Sequence, residues 1–243
     1  MKLSSIFIFL MSFNLYAQQH SNLVDSVLKE LKINLSNCKT DLIVEKVMPN
    51  DSTKTIVVIP KLETEYNEQN DCCFELNSYI LIVNSLSYQI ENKYIESYKS
   101  NGWVSDAVVL VEISIDTAPY YLSNEKRAFG IRVKYNGNSR VNPYGYETIT
   151  LFEPQDNSLR TLLKNYNVLE YSGQWDGNCI GEFSSKKKTI IITDNLTNSH
   201  LDILIKSKIT NSIAFLNENN DCDEKETVTE KTETLTYENG SYK

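Results

Sequence analysis

The spacing of apolar residues changes rhythm about forty residues into the chain. Leu23, Val24, Val27, Leu28 and Leu31 recur at helical intervals, with Asp25, Lys29 and Glu30 between them and Ser21 placed to cap the first turn. One amphipathic helix is predicted there. From Asp41 onward the period falls toward two and β-formers dominate, which predicts strands at Leu42-Ile43-Val44, at Thr55 to Ile59 ending at Pro60, and at Tyr79 to Val83. Asn84-Ser85-Leu86-Ser87 reads as a turn into Tyr88-Gln89-Ile90 and onward to Tyr94 through Ser97, a hairpin-like pattern.

Further strands are predicted at Ala107 to Ile115, Arg127 to Tyr135 and Glu147 to Phe152. Between Phe129 and Tyr135 large apolar side chains alternate with Gly130, Arg132 and Lys134, so one face is core and the other wet. Asn136-Gly137-Asn138 closes that strand with residues that tolerate positive φ. After Pro154, Asp156 or Asn157 is placed to cap a short helix through Leu159, Leu162 and Leu163. Strands then resume at Val168 to Tyr171, Thr189 to Ile192, Leu201 to Ile205, Ile213 to Phe215 and Thr227 to Tyr237. Lys186-Lys187-Lys188 reads as a solvated turn, and the Thr/Glu/Lys alternation from Glu226 to Thr236 as a wet sheet face or a charge-defended edge.

Many short strands and two helical patterns predict an all-β protein, an antiparallel β-sandwich or open barrel with one or two short helices. No Pro/Gly-rich linker interrupts residues 18–243, which favours a single β-rich domain over a split into two β units near 155–165.

Composition narrows the class of partner. The 243 residues carry 24 Lys or Arg against 32 Asp or Glu, a formal charge of −8, with arginine only at Arg127, Arg132, Arg140 and Arg160. Phosphate backbones are held by basic residues, so nucleic acid is not an expected partner. Residues 1–17 combine Lys2, an apolar run from Ile6 to Leu15 and Ala17 before Gln18-Gln19, the pattern of a cleaved secretory signal. That run is too short to span a bilayer, and no second candidate follows it, so the mature chain is expected to lack a transmembrane segment.

A secreted or periplasmic location lets the five cysteines pair. Cys179 and Cys222 flank the C-terminal strands and are the expected disulfide, while Cys38 is expected to reach one of Cys72 and Cys73, leaving one thiol over.

The sequence lacks a G-x-S-x-G elbow, an H-E-x-x-H pair, a phosphate-binding G-x-x-x-x-G-K and a G-x-G-x-x-G. His200, at the start of a predicted strand, is expected to face solvent. Two patterns remain. Trp103, Arg140, Tyr144, Tyr146 and Trp175 occupy predicted loops, with Asp176 beside the last, and such rings can form a platform for sugar faces or a protein partner. Asn217, Asn219, Asp221 and Asp223 alternate as calcium ligands do, although Cys222 replaces the turn glycine and Val228 stands where the final acid belongs.

These features imply an exported, non-enzymatic β-sandwich protein that binds an envelope glycan or protein partner and needs no cofactor, calcium being the weak exception. The alternatives are a hydrolase of envelope polymers using a carboxylate pair and a calcium-stabilised structural protein.

Overall fold

The computed structural model describes residues 21–65, 73–123 and 126–243. The expected leader, residues 1–17, lies outside them. Helix α1 (Asn22–Leu31) forms where the apolar spacing places it. The Ser21 hydroxyl accepts the Val24 N–H at 3.2 Å, and the helix ends at Lys32, whose φ of 56° is left-handed.

Strands β1 (Val44–Met48), β2 (Asp51–Glu65), β3 (Phe74–Asn84) and β4 (Ile90–Glu96) follow as an antiparallel meander. A single helical turn, α2 (Tyr98–Asn101), leads to the short β5 (Val104–Ser105), which pairs with β3. A second antiparallel meander comprises β6 (Val108–Tyr121), β7 (Arg127–Gly137), β8 (Tyr144–Gln155) and β9 (Ser158–Trp175). Strands β10 (Gly181–Thr197), β11 (His200–Leu216) and β12 (Cys222–Leu235) extend it, and β13 (Tyr237–Glu238) with β14 (Ser241–Tyr242) forms a small hairpin.

Among the described residues, twelve strands share one sheet that nearly closes into a barrel, in keeping with the expected all-β class. The two meanders meet at a seam where β4 and β9 share one parallel pair, Lys93 with Ser158. Buried Asn92 clamps that seam, its amide donating to the Asp156 carbonyl at 2.6 Å and the Ser158 carbonyl at 3.1 Å. On the other side, the Lys46 ammonium reaches from β1 to the Ile115 carbonyl of β6. Because two carbonyls depend on one amide, Asn92→Ala is expected to destabilise by about 1–3 kcal/mol, read as a lowered urea midpoint. An unchanged midpoint would show that the seam does not need the clamp.

Strand β2 explains why its sequence is apolar without alternation. Ile56 and Val58 point into the barrel with Ile80, Ile82, Phe129, Ile131 and Phe152. Val57 and Ile59 point outward beneath Val24, Val27 and Leu28 of α1, so both faces are covered. The strand also runs through Pro60 rather than ending there. The Pro60 carbonyl accepts from the Lys39 N–H, so its backbone edge points away from β3 and the missing N–H removes no bond of the β2–β3 ladder.

The helix expected after Pro154 does not form. Asp156, with φ of 50°, and Asn157 are the turn of the β8–β9 hairpin, and Leu159, Leu162 and Leu163 lie on β9. Leu163 pairs with Leu151 and Thr161 with Phe152, so Leu162 is an extra, bulged residue that gives the three leucines helix-like spacing. Leu159 joins the barrel core, whereas Leu162 and Leu163 join a second core with Ile149, Leu151, Ile203, Ile205 and Tyr237. Lys186-Lys187-Lys188 lies mid-strand in β10, not in a turn, and the separate strands expected at 201–205 and 213–215 are one strand, β11.

Candidate functional site

Residues 169–175 at the end of β9 and the parts of β10, β11 and β12 paired level with them contribute to none of the three core clusters and continue the sheet as a blade. Cys179 and Cys222 form the expected disulfide at its tip, with Cα atoms 5.5 Å apart. Cys38, by contrast, is a free, buried thiol and is not bridged to Cys73; Cys72 lies outside the described residues. It packs beneath α1 in an apolar cluster, and burial there raises its pKa against the lesser opposing effect of Lys61.

Residues directly opposite in antiparallel strands share a face, so the register sorts the blade's side chains. One face carries the row Gly145, Tyr171, Ser185, Thr210, Val228, then Gly173, Phe183, Ser212, Glu226, then Trp175, Gly181, Ala214, Glu224. Aromatic and glycine positions alternate in this checkerboard. A Cβ on Gly145 would lie 2.5–2.6 Å from the Tyr171 ring, and one on Gly181 3.0–3.1 Å from Phe183. The Tyr171 ring therefore lies over the bare backbone of Gly145 and the Phe183 ring over that of Gly173 and Gly181, while Trp175 stands opposite Gly181 in the ladder. All three rings are half-buried. The Tyr171 hydroxyl donates to Asn136 at 3.2 Å, and the Arg140 guanidinium stands 5.6 Å from the Trp175 ring, a cation–π distance.

The residues expected to form one platform are therefore divided. Trp103 is 4% exposed inside the barrel core. Tyr144 and Tyr146 pair with Ser172 and Glu170 on the opposite blade face, where Tyr146 stacks on Tyr135 at 4.5 Å. Only Trp175 and Arg140 lie on the aromatic strip. Asp176 is a turn residue: its carboxylate accepts the N–H groups of Asn178, Cys179 and Ile180, led by Asn178 these hold its pKa below the ordinary range. Tyr171 and Phe183 were not among the expected contacts. Their signal is the period-two pattern Tyr171-x-Gly173-x-Trp175 answered by Gly181-x-Phe183.

The acidic turn uses its oxygens locally. The Asn217 side-chain oxygen accepts the Asn219 and Asp221 N–H groups, and Asp223 accepts from Glu224. Among the described residues, no three His, Cys, Asp or Glu side chains gather as metal ligands would.

His200 is buried, not solvent-facing. Its ring stacks on Tyr237 at 3.6 Å, with Nδ1 3.1 Å from the Asn198 carbonyl and Nε2 3.1 Å from the Arg160 guanidinium. Arg160 also donates to Glu153 at 2.6 Å, and Ser123 donates to the same carboxylate at 2.7 Å. This cluster ties β8, β9 and β11 to the β13–β14 hairpin.

Asp116 and Glu147 are two carboxylates brought to one place, and both grip Arg132, at 2.8 and 2.6 Å. Burial alone would raise the Asp116 pKa, but the Ala118 N–H, the Tyr120 hydroxyl and Arg132 outweigh it and hold the group below its ordinary value. An acid so held is a poor proton donor at neutral pH, unlike the raised carboxyl a glycosidase needs. A lowered folded pKa contributes stability at neutral pH, and that contribution is lost as pH falls below roughly 4 toward the folded value. The stability gap between the native chain and Asp116→Asn is therefore expected to narrow between pH 6 and about pH 3 in urea titrations. A gap independent of pH would contradict this reading.

No family model matches the chain, and neither a curated protein nor a solved structure matches it significantly. Among the described residues, no helix is long and apolar enough to cross a membrane.

Proposed function

We propose that this chain is an exported, non-enzymatic protein that holds an envelope glycan against the aromatic face of its blade. The observation that carries the proposal is the alternation of Tyr171, Phe183 and Trp175 with Gly145, Gly173 and Gly181 on one face, with Tyr171 laid over Gly145 and Phe183 over Gly173 and Gly181. Rings held flat on a sheet offer broad, preordered apolar faces, and little side-chain freedom is lost when a flat ligand settles on them. A pyranose has such a face on its C–H side, while its hydroxyls can bond Arg140 and the edge carboxylates Glu224 and Glu226. The leader-like residues 1–17 and the Cys179–Cys222 disulfide support export.

Binding of the disulfide-intact protein to a panel of purified envelope polysaccharides, measured by co-sedimentation or calorimetry, tests the proposal. Trp175→Ala is expected to weaken binding by about 2 kcal/mol, roughly thirtyfold, without changing the fold. Equal binding by Trp175→Ala and the native chain, or none to any polysaccharide, would overturn it. Tight capture of a protein ligand that survives excess glycan would instead favour a protein partner.

A further inference from the structure

The aromatic face continues into a group of lysines. Two residues beyond Ser185 along β10, and so on the same face, Lys187 stands opposite Leu169 of β9 and Lys208 of β11. Lys206, two residues from Lys208, shares that face opposite Thr189. All three side chains are exposed, and none takes part in the ion pairs found among the described residues. Beside them on β12 stand Glu230, opposite Lys208, and Thr232, opposite Lys206; on the other side Glu147, in the same row across Leu169, is taken up by Arg132, so on β12 Glu230 alone faces the three ammonium groups. Like charges placed directly opposite on paired strands are destabilising. The contrast with their neighbour is sharp: Lys188, on the other face, bonds Tyr166 and Glu233. Cations are thus left together on one face of a chain whose formal charge is −8.

Geometry joins this group to the aromatic strip. Trp175 is level with Gly181, and Lys187 lies six residues further along β10, about 20 Å at strand rise. The track therefore runs from Arg140 and Trp175, across Phe183 and Tyr171, to Lys187, Lys206 and Lys208.

We infer that the glycan held by this face is acidic, its sugar rings lying on Trp175, Phe183 and Tyr171 and its anionic substituents meeting Lys187, Lys206 and Lys208. This inference rests on the glycan reading above and adds the ligand's charge. The anion is a carboxylate of a uronic acid or a sulfate ester, since an ammonium cluster recognises either as a point charge.

Electrophoresis of the disulfide-intact protein through gels containing polygalacturonate, dextran sulfate or neutral dextran, at physiological salt, tests it. The double variant Lys187→Gln/Lys208→Gln is compared with Lys29→Gln/Lys99→Gln, which changes net charge equally at distant sites. Retardation by an acidic polymer is expected, with apparent Kd raised about tenfold by the first pair of substitutions and little by the second. Retardation by polygalacturonate alone assigns the anion as carboxylate, and by dextran sulfate alone as sulfate. Retardation by neutral dextran as strong as by the acidic polymers would overturn the inference while leaving the glycan reading intact. Retardation by none of the three overturns the inference, and failure to bind the envelope polysaccharide panel as well overturns the glycan reading. Equal loss in the two double variants, or equally tight retention by single-stranded DNA, would show bulk charge attraction and also overturn the inference.

Discussion

Arg160→Met is expected to lower the unfolding free energy by about 3 kcal/mol or more. Glu153 is only 2% exposed and its carboxylate is held by two groups, the Arg160 guanidinium and the Ser123 hydroxyl. Removing the guanidinium leaves a buried anion with a single neutral donor. The same guanidinium meets His200 and lies 5.7 Å from the Tyr237 ring, so its loss also loosens the C-terminal hairpin. Adding Glu153→Leu to Arg160→Met should recover part of the loss, because the uncompensated charge is then gone and only packing remains to be restored. Urea unfolding of the three chains checks this. A single variant as stable as the native chain, or a double variant no better than the single, would show that the ion pair is not what holds this corner.

Phe152→Ala is expected to cost about 3–5 kcal/mol, among the largest effects of any single truncation in the barrel. Phe152 is fully buried where β8 closes on β9. Its ring lies 5.0 Å from that of Tyr94 on β4 and 5.9 Å from that of Phe129 on β7. It thus bridges the two meanders from inside through Tyr94, two residues along β4 from the Asn92 clamp. Phe152→Leu, which leaves a smaller void, should be much milder, at about 1 kcal/mol. Thermal and urea unfolding measure both. If alanine and leucine cost the same, the ring's contacts across the seam contribute little.

The β class and the first helix were legible because they depend on local pattern. Ser21 and the Leu23–Leu31 spacing suffice for α1, whose cap and buried face need no distant information. The alternation from Phe129 to Tyr135 likewise marks a strand with one wet face. Signals failed where a local pattern has two physical causes. Asp and Asn serve helix caps and hairpin turns alike, and a β-bulge at Leu162 mimics helical spacing. Pro60 looked terminal because only the neighbouring Lys39 shows which way its backbone edge points.

The candidate site was half legible. Trp175 and Arg140 stood out by residue type, whereas Tyr171 and Phe183 gain meaning only from the β8–β9 and β9–β10 registers that set them over glycines. Trp103 follows a glycine as exposed loop residues often do, yet its strand context carries it into the core. Sequence alone shows neither which strands pair nor which face a ring takes. It does record the complementary spacing of aromatic and glycine that the pairing brings together.

The tryptophans allow the central claim to be read directly, because one is sealed in the barrel and the other lies on the blade. In a Trp103→Phe chain, the remaining Trp175 fluorescence is followed while acidic and neutral envelope oligosaccharides are added. Saturable change in emission, with protection from acrylamide quenching at the plateau, is the predicted result. Oligosaccharide that binds by calorimetry yet leaves Trp175 emission and quenching untouched would place the ligand elsewhere and contradict the aromatic face as the binding site.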